Sequence, residues 1–306
     1  MGEANGPTAA GSTMTQPRIA SIPKLKILTT DSIIQKRVAL LFWGESDTGK
    51  TWCSLTFPNP LTIYFDTNMS TLRKFKDVPF LTPTSLIEIE RDIVPAINNR
   101  RLSEIAGRKV ETIIFDSLTF YNSQRLQELT SKGKMEMANT QWSSLYAGVS
   151  AIMQAGAGAT KPLSNRPEAE TYHFICTVHK TTRVGKKGEI LKVAPTVDGQ
   201  MRDQLHSFFD AVLVFDSQTV PTQVEQGNGR PPKTVYEKER FAWTVDPDQY
   251  TKAKNHIGPI PAKIIPTYEN LCAYWHLDGR TTTVTSEPSE VGVEPANNNT
   301  TTEVTQ

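Results

Sequence analysis

Gly44-Glu-Ser-Asp-Thr-Gly49-Lys50-Thr51 directly follows the apolar run Val38–Trp43. Its spacing is G-x-x-x-x-G-K-T, the pattern of a phosphate-binding loop. Glycines at both ends let the backbone curl, so that successive N–H groups converge on one anion. Gly44, Glu45, Ser46, Asp47, Thr48, Gly49, Lys50 and Thr51 are therefore candidates to cradle the phosphates of ATP. Lys50 is expected to reach the β- and γ-phosphates, and the Thr51 hydroxyl to ligate Mg²⁺. A glycine-rich turn with a helix cap is the alternative. Ile113-Ile114-Phe115-Asp116 is an apolar stretch ending in a carboxylate. Downstream of such a loop, Asp116 is the candidate to share the Mg²⁺ with Thr51. It is also placed to cap a helix starting at Ser117, and the two roles are compatible.

A second constellation is basic. Lys180, Arg183, Lys186, Lys187 and Lys192 lie within KTTRVGKKGEILKV, where Gly185 and Gly188 bracket a Lys-Lys pair. The segment predicts a β-hairpin with a cationic tip. Such a tip suits the phosphates of single-stranded DNA; a solvated surface turn is the alternative. The hairpin carries no aromatic for base stacking. Trp142 and Tyr146 precede it on an expected helix, and read first as core residues. GAGATKPLSNR (156–166) reads as a further loop with two cations, Lys161 and Arg166. His173, His206, His256 and His276 show no metal-ligand spacing. The three cysteines, Cys53, Cys176 and Cys272, are widely separated and fit neither a disulfide framework nor a zinc site, which favours a reducing compartment.

Alternating elements are needed to position these groups. Val38–Trp43, Leu61–Asp66, Val110–Asp116, Tyr172–Val178, Ala211–Phe215 and Arg240–Val245 read as strands. Lys50–Phe57, a segment opened by Ser85, Ser117–Thr130 and Met135–Gln154 read as helices, with Pro95 kinking or ending the second. Ser217–Thr234 contains QGNGRPPK and reads as a surface loop. Strands alternating with helices predict an α/β fold with a mostly parallel sheet covered on both faces. Residues 1–22 and 281–306 hold too few large apolar side chains to offset ordering entropy and are expected to be disordered tails; 23–280 is the expected folded domain. Over the 306 residues, 33 Lys and Arg stand against 32 Asp and Glu, a net charge of +1 that excludes a histone-like polycation. The C-terminal tail carries acids and no bases, so the remainder is mildly basic. No apolar run approaches the ~20 residues of a membrane span, and no secretory signal is expected at the start. A cytoplasmic protein without membrane contact is the resulting expectation.

Across 23–278 the chain resembles the RecA-like ATPases, and within them the phage-type AAA ATP-binding proteins of the single-strand annealing and recombination group. GESDTGKT (44–51) is similar to the loop of archaeal and eukaryotic RecA-type recombinases, which share its Gly-Glu start. IIFDSLT (113–119) resembles the family's aspartate strand, and CTVHK (176–180) its T-x-H segment. PTVDGQMRDQLHSFFDAVLVF (195–215) is similar to the Pro-x-x-x-Gly…Phe-Asp block. AKNHIG (253–258) resembles Ala-Lys-x-Arg-x-Gly.

The resemblance implies a RecA-like core with a C-terminal antiparallel extension. It implies an ATPase acting on single-stranded DNA in recombination, repair or replication, assembled as a homo-oligomeric ring or filament. A phage origin, the host cytoplasm and a single-strand DNA-binding protein as a further partner belong to the same implication. His179 takes the place of the γ-phosphate sensor. His256 stands where the family has Arg, so Lys254 takes the place of a cation reaching a neighbouring subunit's nucleotide; a solvated pair of Lys252 and Lys254 on a surface turn is the alternative. The family's strand after the loop helix ends Asp-Thr-Glu, with the Glu activating water; here the sequence is Asp66-Thr67-Asn68. An amide holds water but is a poor proton acceptor, so slow hydrolysis is expected, with Asp66 and Glu45 as substitute carboxylates. Two other functions stay open: a nucleotide-gated DNA annealing or binding module with little turnover, and a P-loop small-molecule kinase.

Overall fold

The computed structural model describes residues 37–66, 69–83, 85–130, 139–187, 189–197, 200–224, 232–249 and 251–277. Both expected tails and Asn68 lie outside these residues. The first strand, β1 (Ala39–Gly44), is buried at every position. Its continuous apolar run is what a strand covered on both faces requires. Side chains alternate across a strand, so Ala39, Leu41 and Trp43 pack with Ile113, Phe115, Val149 and Ile152 on one face. Leu40 and Phe42 pack with Cys53, Ile114, Leu213 and Leu271 on the other.

The chain then runs through α1 (Lys50–Leu55), β2 (Pro60–Tyr64), β3 (Phe80–Leu81), α2 (Leu86–Glu88), α3 (Val94–Asn98), α4 (Leu102–Ala106), β4 (Thr112–Asp116), α5 (Leu118–Thr130) and α6 (Asn139–Ala159). It continues through β5 (His173–Val184), β6 (Ile190–Pro195), α7 (Met201–Gln204), β7 (Ala211–Val224), β8 (Lys233–Trp243), β9 (Lys254–Asn255), β10 (Lys263–Ile264) and α8 (Tyr268–Trp275). The sheet order is β10-β8-β7-β1-β5-β4-β2-β3. From β7 to β3 the neighbours are parallel, whereas β8 and β10 are antiparallel additions. This is the expected α/β architecture with a mostly parallel sheet and an antiparallel extension. Among the described residues, no helix is long and apolar enough to cross a membrane.

Three elements differ from the sequence expectation. Ser217–Thr234 is not simply a loop: β7 and β8 form a long ribbon with register from Val214↔Trp243 to Val224↔Lys233. Beyond Phe215 most of the β7 side chains are exposed, so no apolar alternation marks the strand. It is held instead by the ladder, by β-favouring Thr and Val, and by cross-strand pairs such as Gln218–Glu239 at 2.6 Å. Pro95 does not end its helix. A wider π-type turn at Ile89–Ile93 precedes it, and Pro95 falls in the first turn of α3, where its missing N–H is tolerated. Gly156 belongs to α6 rather than to a basic loop, because a Cβ there would overlap the Phe174 ring. Helix and sheet approach closely at that point.

Candidate nucleotide site

In open α/β sheets, ligands bind beyond the carboxyl ends of the strands. β1 delivers Gly44 to that edge, between His179 of β5 and Phe215 of β7 in the register. A Cβ on Gly44 would overlap the Phe215 carbonyl oxygen, so β7 passes too close for any other residue. Gly49 sits at φ 96°, in the left-handed region, and caps α1. Between them the loop is closed by Thr48 Oγ1 donating to the Glu45 carbonyl at 2.8 Å.

Lys50 is buried and folds back over the loop. Its Nζ donates to the carbonyls of Gly44 at 3.0 Å and Glu45 at 2.6 Å. Burial lowers its pKa to about 8, against the opposing pull of Asp116 and Glu45. Asp116 ends β4, two strands from β1, and is also buried. Its Oδ2 accepts from Thr51 Oγ1 at 2.7 Å, and its Oδ1 accepts from the Thr177 hydroxyl. Burial raises its pKa, although both hydroxyls and Lys50 oppose the shift. The two central charges are thus each pushed toward neutrality by the same desolvation. A triphosphate beside Lys50 and a divalent cation beside Asp116 would relieve both. Thr51 and Asp116 present hard oxygens from adjacent positions, the donor chemistry that Mg²⁺ takes; the residues fit the ion.

His179 joins the site. Its Nδ1 lies 3.1 Å from Ser46 Oγ, and its backbone N–H donates to Thr119 Oγ1 at 2.9 Å. Burial first, then Lys50, lowers its pKa, which favours the neutral ring. A cavity of about 590 Å³ runs over the loop, lined among others by Lys50, Thr51, Asp66, Asp116 and His179. Glu45 is exposed, and Lys180 Nζ stands 4.0 Å from its carboxylate.

Two further residues on this cavity were not foreseen in the sequence. Lys238 Nζ and Arg240 Nη2 pair with the Asp47 carboxylate at 2.8 and 3.0 Å, and Arg240 Nε donates to the Asp47 carbonyl. The Lys238 and Arg240 hydrogen bonds hold the Asp47 carboxyl below its usual range. The available signal was Lys-x-Arg at strand spacing within KTVYEKERFAW, which places both cations on one face of β8.

Lys180 and Arg183 lie on β5, which continues past His179 and pairs antiparallel with β6. Lys186 and Lys187 are exposed at the turn between them, so the expected basic hairpin is present. Trp142 is not a core residue; it is partly exposed beside Tyr146 in a separate cavity. Lys254 is not brought to the phosphate loop of its own chain. It pairs with the start of β7, and its Nζ donates to the His206 carbonyl at 3.2 Å and the Phe209 carbonyl at 2.5 Å. It lines another cavity with Ala39 and Asp210, at the start of β1.

A phosphate loop between parallel strands, with a buried carboxylate two strands away, defines a P-loop nucleotide-binding ATPase domain. Residues 36–256 match the AAA domain family, and the chain belongs to that family. No curated protein matches the chain. Among solved structures, it is similar to a prototypical ATPase from the type III secretion system of pathogenic bacteria. Identity is 13%, covering 58% of this chain and 51% of that chain, with a TM-score of 0.40. The chain therefore spans about half the length of that structure.

Proposed function

We propose that this AAA-family domain is a RecA-like, phage-type ATPase that acts on single-stranded DNA in recombination, repair or replication, in the host cytoplasm. The observation that carries the reading is the continuity of β5. One strand holds Thr177 on Asp116 and His179 beside the phosphate loop, then runs on as the basic hairpin through Lys180 and Arg183. Val184 lies roughly 17 Å along the strand from His179. A change at the phosphates therefore has a continuous backbone route to the exposed Lys186 and Lys187.

In this reading Lys50 exchanges its two loop carbonyls for β- and γ-phosphate oxygens and offsets their charge. Thr51 and Asp116 would hold Mg²⁺, which when bound would offset charge on the phosphates. Neutral His179 offers a hydrogen bond near the terminal phosphate and reports its presence to β5. Asn68 positions water without accepting its proton, so turnover is slow, and Asp66 is the carboxylate nearest in sequence. Lys186 and Lys187 contact DNA phosphates. In the ring or filament, Lys254 serves a neighbouring copy's nucleotide rather than its own. A single-strand DNA-binding protein delivers the substrate.

ATP turnover measured with and without single-stranded DNA tests the reading. Stimulation by DNA supports it. DNA binding without turnover favours a nucleotide-gated annealing module, to which Asn68 already points. Turnover indifferent to DNA overturns it.

A further inference from the structure

The cavity over the phosphate loop has one wall that the phosphate chemistry leaves unused. Trp52 follows Thr51 directly on α1, yet its indole is 43% exposed. Ile265 is 59% exposed, and Ile265 and Pro266 line the same cavity. These large apolar groups stand at a site whose remaining lining is mostly ionic or hydroxylic, including Lys50, Thr51, Asp66, Asp116, Lys238 and Arg240.

Both parts of this wall are anchored to one helix. Thr56, the C-cap of α1, accepts from the Tyr268 backbone N–H at 2.8 Å and donates to the Cys53 carbonyl at 2.7 Å. The turn before Tyr268 is fixed by Asn270 Nδ2 donating to the Ile265 carbonyl at 2.9 Å and by Thr267 N–H donating to the same carbonyl at 3.1 Å. Tyr268 packs on Phe57, ring centroids 4.8 Å apart. The Ile265–Pro266 corner is therefore held against the helix that starts with Lys50 and Thr51. An indole plane and a fixed aliphatic corner beside a phosphate loop suit a flat aromatic ring tethered to the phosphates.

We infer that Trp52 and the Ile265–Pro266 corner form the nucleobase subsite, with Trp52 stacking on the base. The inference rests on the nucleotide reading of the phosphate loop and adds the residues that distinguish a nucleotide from a bare polyphosphate. Stacking needs a π-face and no base-edge hydrogen bond, so this wall selects for an attached base.

The test compares ATP with inorganic tripolyphosphate, both with Mg²⁺, by equilibrium titration of the full chain. Trp52→Ala is expected to weaken ATP about 10-fold while leaving tripolyphosphate affinity unchanged. Ile265→Ser, which removes apolar surface at an exposed position without adding charge, is expected to weaken ATP and spare tripolyphosphate in the same way. ATP, but not tripolyphosphate, should quench the tryptophan emission, and Trp52→Phe should remove that quench while largely preserving affinity. Equal losses for both ligands, or no loss for either in both variants, would overturn the subsite. Lys50→Ala separates the two levels of the argument. If it leaves tripolyphosphate binding intact, the phosphate-loop reading itself fails; if it abolishes that binding while Trp52→Ala spares ATP, only the base subsite fails.

Discussion

ATP binding should take up protons at mildly alkaline pH, because Lys50 is buried without an adequate counter-charge. Its ammonium has two carbonyl acceptors, and desolvation outweighs the pull of Asp116 and Glu45, giving a pKa of about 8. The fall from the ordinary value of 10.5 to about 8 corresponds to ~3 kcal/mol of cost to the charged form. A triphosphate beside Nζ restores the counter-charge and returns the pKa toward its ordinary range. At pH 8 roughly half of the free protein lacks the proton, so binding should take up roughly 0.5 proton per ATP. The share of the uptake due to Lys50 should vanish near pH 6.5, and ATP affinity should fall by up to about 10-fold per pH unit between 8 and 10. The stability of the free protein moves the other way. A lysine whose folded pKa lies below its unfolded one penalises folding fully below pH 8, and the penalty is relieved as pH rises toward 10.5. Calorimetric titration in buffers of different ionisation enthalpy reads the uptake, and denaturation of the wild type against Lys50→Met across pH 7.5–10 isolates the stability term. Zero net proton uptake at pH 8, with ATP bound, would refute this electrostatic account of the loop.

Other predictions concern the surrounding parts. Gly44→Ala forces a Cβ into the Phe215 carbonyl; thermal unfolding should show a loss of about 2–3 kcal/mol, a fall in Tm of roughly 5–10 °C. Asn68→Glu should raise ATP turnover, with full general-base assistance worth about 10²–10⁴-fold; steady-state phosphate release checks it, and no gain in a folded, ATP-binding variant would assign water activation elsewhere. Neutralising Lys186 and Lys187 together should weaken single-stranded DNA binding across sequences and flatten its salt dependence by roughly 0.7 per lost contact, read by titration at several salt concentrations.

The phosphate site was legible because its parts are local in sequence. An unbroken apolar run gives β1, the glycine spacing gives the loop, and an apolar strand ending in Asp gives Asp116. His179 came from resemblance rather than from any property of its own segment, and the structure puts it 3.1 Å from Ser46. The ribbon was hidden because β7 leaves the core after Phe215, so its remaining residues carry no burial pattern. Missing the ribbon also hid the ion pairs of Lys238 and Arg240 with Asp47, which lie 191 and 193 residues apart in sequence. Gly156 misled for a different reason: glycines in GAGAT (156–160) suggest a loop, whereas this one serves the contact of α6 with Phe174. Trp52 reads in sequence as an ordinary helix residue, and only its exposure on the cavity sets it apart.

Coupling along β5 between the phosphate loop and the basic hairpin is the central claim, and it can be measured without hydrolysis. Single-stranded DNA affinity should be determined with a non-hydrolysable ATP analogue, with ADP and with no nucleotide, all with Mg²⁺. The account predicts tighter DNA binding with the ATP analogue than with ADP or no nucleotide, and an equal tightening of the analogue by DNA, as thermodynamic linkage requires. The same DNA affinity in all three states would contradict it.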